Sequence, residues 1–342
     1  MPHSRPGPTF ALYVGVRRGV RRDPPAHRNR SLFVELRGTV RSECRPPGGL
    51  RRGYDGAHGR GMRTWLVVPV VLLAAACIGT SEDPDVATNG AAVSDFSRVF
   101  DGSAGQWVDL THAYDSSTIY WPTDTEGFQL EELAYGRTEG GWFYSSYGFS
   151  TAEHGGTHLD APIHFAEGRR TTDEIPVSDL VGPAAVLDVR DLAGADYRVS
   201  VADLEAWEAA HGTLPDGAIV LLRTGWGPRW GNRVAYLGTS LTGPEAVPEL
   251  HFPGLSPEAA AWLVANRSVA AVGIDTPSID TGQSTDFQAH VTLYEANIAG
   301  FENVANLEAL PEAGAFIVAL PMKIAGGSGG PLRIVAFVPS GG

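Results

Sequence analysis

Apolar and polar positions fall into short blocks along the last two thirds of the chain. Residues 184–189, 219–222, 269–274, 316–320 and 332–338 are runs dominated by Val, Ile, Leu, Ala and Phe. They have the length of strands rather than helices, and they predict buried strands. Helix boundaries stand between them. Ser200 precedes 201–210, with Asp203 in the position of a capping-box acid. Ser256 precedes Pro257–Asn266, where proline occupies the first turn and its missing N–H costs nothing. Alternating strands and helices predict an α/β fold. No internal repeat or break follows residue 107, so a single domain is expected over 106–342.

Charge separates this domain from what precedes it. The net charge of −13 combines +9 over residues 1–61, which hold 13 Arg and 4 acidic residues, with −22 over the remainder. A domain that acidic offers no basic stripe to a phosphate backbone, so nucleic acid is not an expected partner. Residues 1–61 are rich in Arg, Pro and Gly without apolar periodicity, and they read as a disordered basic extension or as sequence upstream of a natural start at Met62. After Met62 and Arg63 comes an apolar run over 65–76, then Cys77 and a polar stretch. That order predicts an export signal over 62–77. The run of about 12 apolar residues falls short of the ~20 needed to span a bilayer. Leu73-Ala74-Ala75-Ala76-Cys77 resembles a bacterial lipoprotein signal, which implies a lipid anchor at Cys77, membrane tethering and an exported protein. The small, polar residues 78–105 read as a tether.

Candidate chemistry concentrates in His154-Gly155-Gly156-Thr157-His158-Leu159-Asp160-Ala161-Pro162-Ile163-His164, which holds three of the ten histidines. Imidazole and carboxylate are ligands for Zn²⁺ or Mn²⁺. On an extended segment His158 and Asp160 face the same way, and paired glycines allow the chain to fold His154 back to join them. Three protein ligands with an open position are the arrangement of a catalytic metal site. The domain contains no cysteine, so N and O ligands must suffice. His164, beyond a proline, is the candidate general base, and backbone N–H groups near Gly156 and Thr157 are candidates for holding an oxyanion. His58, His211 and His251 read as ordinary solvated or core histidines.

These eleven residues resemble the signature of the cyclase family, which includes bacterial kynurenine formamidases and isatin hydrolases. The resemblance extends over about 107–339 through Asp109-Leu110-Thr111-His112, Trp121-Pro122 with Asp124, Leu222-Arg223-Thr224-Gly225-Trp226, the block from Gly273 to Asp280, and Gly329-Gly330-Pro331-Leu332-Arg333. It implies a swivelling β/β/α domain, a homodimer and two divalent ions per subunit. His154, His158 and Asp160 would hold one ion; Asp160, His290 and Glu302 would hold the other. Glu302 tilts the resemblance toward the formamidases, and so toward an aryl formamide or related small-molecule amide as substrate.

Trp121 and Trp226, inside matched motifs, are candidate substrate-binding residues; Trp142, Phe143 and Tyr144 add aromatic surface near those motifs, with Phe143 and Tyr144 divided evenly between the pocket and ordinary core or rim positions. Arg223 and Asp275 read as structural, a buried pair or a turn, and His112 as a possible neighbour of the site. Two other readings stand beside the formamidase: ring opening of a cyclic amide or lactone, and a metal-binding lipoprotein without catalysis.

Overall fold

The computed structural model describes residues 97–341. The basic extension, the signal with Cys77 and residues 78–96 of the expected tether lie outside the described residues. The rest of that stretch is tied down: residues 97–100 form a turn, and the Trp107 indole donates to the Val99 carbonyl at 3.1 Å. Order therefore begins before the expected boundary.

The strands in chain order are β1 (Gly105–Asp109), β2 (Gln129–Arg137), β3 (Phe143–Ser150), β4 (His158–Asp160), β5 (Val181–Asp188), β6 (Arg198–Val199), β7 (Ile219–Arg223), β8 (Gly254–Leu255), β9 (Ala271–Ile274), β10 (Ala299–Glu302), β11 (Ala313–Pro321) and β12 (Gly329–Pro339). The helices are α1 (Val201–His211), α2 (Arg233–Leu237), α3 (Pro257–Asn266) and α4 (Gln288–Glu295). All five apolar runs became strands, and both expected helices formed where their caps placed them. The Ser200 N–H donates to Asp203 at 2.7 Å, and Ser256 Oγ accepts from the Ala259 N–H at 3.1 Å.

Eight strands form one sheet in the order β1-β12-β11-β5-β7-β9-β10-β4, and β4 pairs with β12 as well as β10. That second pairing closes seven strands into a barrel-like ring. The run β5-β7-β9-β10 is parallel, and the remaining pairings are antiparallel. Alternation along β7 explains its unbroken apolar sequence. Ile219 and Leu221 pack with Val186, Phe301, Ile317 and Ile334 inside the ring, whereas Val220 and Leu222 pack outward with Leu204 and Leu263 of the helices. Both faces are dry, so no polar residue interrupts the strand. Leu221 is fully buried. Leu221→Ala is expected to cost about 2–5 kcal/mol, the usual range for a collapsed leucine cavity, measured as a lower urea midpoint with an unchanged slope.

Candidate metal centre and its cavity

The strand β4 is the wedge on which the site is built. Its Leu159 points into the ring core, so period-two alternation sends His158 and Asp160 to the opposite side. Register places Glu302 of β10 directly opposite His158. The helix α4 brings His290, and the chain before β4 brings His154. Gly155 and Gly156 make that return possible: a Cβ on Gly155 would lie 2.0 Å from the Tyr120 ring, and Gly156 has φ +59°. The loop is pinned by Asn303, whose Nδ2–H donates to the Gly156 carbonyl at 2.7 Å and whose own carbonyl accepts from the Thr157 hydroxyl at 2.7 Å.

Two triads result, His154–His158–Asp160 and Asp160–His290–Glu302, in each of which the ligand atoms lie within 4.8 Å of one another. Asp160 Oδ1 is 2.7 Å from His154 Nδ1 and 3.1 Å from His158 Nε2, while Oδ2 is 3.6 Å from His290 Nε2. Glu302 lies 3.0 Å from His290 Nε2 and 3.4 Å from His158 Nε2. His158, Asp160, His290 and Glu302 are all buried. The sequence-derived ligand set is thus brought together in full.

The residues fit a divalent cation. His158 Nε2 is buried between two carboxylates, 3.1 Å from Asp160 Oδ1 and 3.4 Å from Glu302 Oε2. Among the described residues no Lys or Arg lines the cavity to balance Asp160 and Glu302. Burial alone would depress the His158 pKa, but hydrogen bonds and charge from Asp160, with the charge of Glu302, outweigh it and hold it at about 9. Metal binding at such a site would release protons from its ligands.

A second layer orients the ligands. Asp280 accepts from His290 Nδ1–H at 2.5 Å and from the His290 backbone N–H at 3.1 Å, which turns Nε2 toward Asp160 and Glu302. The Tyr294 hydroxyl donates to Asp160 Oδ2 at 2.9 Å, and His158 Nδ1–H donates to the Gly156 carbonyl at 3.0 Å. Sequence reasoning assigned neither Asp280 nor Tyr294 a role. Tyr294 follows His290 by four residues, the spacing that puts two side chains on one helix face, so it had a readable signal. Asp280→Asn is expected to weaken metal affinity about 10–100-fold with little change in fold, read by metal titration and circular dichroism.

A cavity of about 260 Å³ opens above the two triads. His164, in the 3-10 turn Pro162–His164, lines it and stacks on His154 with ring centroids 3.8 Å apart. Burial lowers the His164 pKa to about 4, so its imidazole is neutral at pH 7. Tyr120, Trp121, Phe165 and Phe287 supply aromatic wall.

Several expected residues stand elsewhere. Trp226 is 1% exposed and does not line the cavity: it packs in a core cluster with Tyr236 and Phe252, its indole donating to the Tyr236 carbonyl at 2.8 Å. Trp142, Phe143 and Tyr144 are exposed around the β2–β3 turn. His112 stacks on Trp230 at 4.1 Å, also outside the cavity. The Gly156 N–H donates to the Ile119 carbonyl at 3.0 Å and is not free for an oxyanion. Arg223 and Asp275 are structural, though not as a pair. Arg223 binds Asp188 at 2.9 Å, and Asp275 accepts the N–H groups of Thr224, Gly225 and Trp226.

With this geometry in place, the comparisons with known proteins agree on a family. The model of the putative cyclase family matches residues 108–281, and the chain belongs to that family. An isatin hydrolase of Roseibium aggregatum is 36% identical over 197 residues, covering 55% of this chain and 72% of that one. A kynurenine formamidase of Salinibacter ruber is 30% identical over 229 residues, covering 67% and 95%. Among solved structures, an isatin hydrolase bound to the product analogue thioisatinate aligns with TM-score 0.66 at 29% identity, over 74% of this chain and all of that one. Isatin hydrolase A from Ralstonia solanacearum aligns with TM-score 0.64 at 34% identity, over 76% and 100%.

Proposed function

We propose that the chain is a metal-dependent hydrolase that cleaves the carbon–nitrogen bond of an aryl amide. The observation that carries this reading is the pair of triads sharing Asp160 beneath an aromatic-walled cavity. His154, His158 and Asp160 would hold one divalent ion; Asp160, His290 and Glu302 would hold a second. Zinc and manganese both accept such N and O ligand sets. Bound there, the ions supply activated water and Lewis-acid polarisation of the scissile carbonyl.

The remaining steps fall to the protein. Trp121, Phe165 and Phe287 receive the aryl ring and exclude bulk water, which fixes the carbonyl over the triads. His164 takes the proton from the attacking water and returns it to the departing nitrogen. Asp280 and Tyr294 hold His290 and Asp160 in orientation throughout.

Glu302 supports a linear formamide, as in the formamidase-like pattern. A cyclic amide is the second reading, supported by the greater identity to the isatin hydrolase and by the structural alignments with isatin hydrolases. A homodimer, export and a lipid anchor at Cys77 complete the proposal; the homodimer rests on the family resemblance, and export and the anchor on the sequence of 62–77. The test is metal analysis by mass spectrometry beside kcat/KM for N-formylkynurenine, isatin and simple lactones. Hydrolysis of an aryl amide, lost on chelation and restored by zinc or manganese, is the expected outcome. Stoichiometric metal with no hydrolysis across the panel would leave a metal-binding lipoprotein instead.

A further inference from the structure

Of the histidines in the two triads, His154 is the least enclosed. Its side chain is 24% exposed, against 3% for His158 and His290. It also presents the other nitrogen. His158 and His290 give their Nδ1–H to the Gly156 carbonyl and to Asp280, which leaves Nε2 facing the carboxylates, whereas His154 turns Nδ1 to Asp160 Oδ1 at 2.7 Å. Its Nε2 lies 2.9 Å from the hydroxyl of Ser328, in the loop between β11 and β12.

The direction of that last bond follows from the other partner of Ser328. Glu153 Oε2 accepts from the Ser328 backbone N–H at 3.0 Å and from its hydroxyl at 2.6 Å. A hydroxyl has one hydrogen, and a carboxylate, which only accepts, takes it. The Ser328 oxygen therefore accepts from His154, so Nε2 carries a proton and Nδ1 is the nitrogen left to a cation. Stacking on His164 cannot make this choice. It sets the plane of the ring but is indifferent to a flip within that plane, which would put a carbon where Nδ1 stands.

The backbone is shaped for the contact. A Cβ on Gly329 would lie 2.5 Å from His154 Cε1 and 2.7 Å from the Leu159 carbonyl oxygen, and a Cβ on Gly327 would lie 2.7 Å from Glu153 Oε1. Between these glycines the Ser328 carbonyl accepts from the Ala161 N–H at 2.8 Å, just past the Asp160 ligand. The Thr172 hydroxyl lies 3.0 Å from the Gly327 carbonyl and 3.1 Å from that of Gly329.

We propose that Glu153 and Ser328 are positioning residues that fix His154 as a metal ligand through Nδ1, the Glu153 carboxylate acting on the ring through the Ser328 hydroxyl. Resting on the reading of the triads as a metal centre, this adds a carboxylate–serine–histidine chain that reaches the first triad from the β11–β12 loop. Such an outer partner selects the tautomer, holds the ring and strengthens its donor nitrogen.

The test is zinc titration of the metal-free full chain against a chromophoric chelator, with nitrogen NMR of the zinc-loaded chain carrying isotope-labelled histidine. Ser328→Ala and Glu153→Ala are each expected to weaken the ion of the first triad about 10–100-fold, while the ion of the second stays tight. The double variant should bind no more weakly than Ser328→Ala alone, because Glu153 acts through Ser328. Asp173→Ala removes another carboxylate anchor of the same loop, which accepts from the Gly326 N–H at 2.9 Å, and should leave zinc affinity unchanged. The spectrum should show one ligand histidine bound through Nδ1 with its proton on Nε2, and two bound through Nε2. A native chain that binds no zinc overturns the reading of the metal centre and this proposal with it. Two ions bound with affinities indifferent to Ser328→Ala and Glu153→Ala overturn the proposal alone, as does a spectrum in which all three histidines ligate through Nε2. Equal weakening by Asp173→Ala would assign the effect to the order of the loop, and overturns it too.

Discussion

Asp160→Asn is expected to yield a folded chain that retains no divalent ion and hydrolyses amides no faster than buffer. Asp160 is the only residue common to both triads, and its two oxygens divide between them: Oδ1 faces His154 and His158, Oδ2 faces His290 and Tyr294. Burial pushes its pKa up, but the charge of His154 and hydrogen bonds from His154, His158 and His290 hold the carboxyl well below the usual range. It is therefore ionised and placed to bridge two cations. An amide of the same shape carries no charge and turns one of those oxygens into an N–H donor, which cannot ligate. Glu302→Gln is the graded companion: it alters the second triad alone, and one ion per chain should remain. Metal content by mass spectrometry separates the two variants, with circular dichroism as the folding control. Full metal occupancy in Asp160→Asn would refute the bridging role.

How much of this was legible in the sequence follows from where water is excluded. The strands β5, β7 and β9 announced themselves as apolar runs because their residues meet the ring core on one side and the helices on the other; β11 and β12 read as apolar runs too, although Phe316 and Leu320 on the outward side of β11 are exposed. The strands β4 and β10 did not, since His158-Leu159-Asp160 and Ala299-Gly300-Phe301-Glu302 give every second position to the site or to a small residue. The same cause hid α4: its buried face is Ala289, His290, Leu293 and Tyr294, and the histidine breaks the apolar spacing. In β2 the bulge at Leu133 interrupts strict alternation, so that strand left no period-two trace.

The site divides along similar lines. His154, His158 and Asp160 lie within seven residues and could be read locally. His290 and Glu302 stand more than a hundred residues away and entered only through the family resemblance; register and the placement of α4 bring them in. Trp226 shows the opposite failure. Its motif lies at the end of β7, near the site in sequence pattern, yet the indole turns into a core formed with α2 and Phe252.

His164→Ala should retain both ions and lose at least about a hundredfold in turnover, the lower end of the scale for a general acid–base group. His164 belongs to neither triad, so removing it leaves the ligand set complete. Its ring stacks on His154 rather than pointing away, and it lines the cavity in which a substrate carbonyl would sit. Proline at 162 and the short turn that follows set this position, because they redirect the chain straight after Asp160. A neutral imidazole there can accept a proton from attacking water and deliver it to the leaving nitrogen, and alanine can do neither. The kinetic signature separates this role from packing. A proton carrier lost from the site lowers kcat with KM nearly unchanged, and added imidazole partly restores the rate, whereas a structural defect raises KM and ignores imidazole. Turnover equal to the parent, or metal lost together with activity, would remove His164 from the chemistry and make it a support for His154.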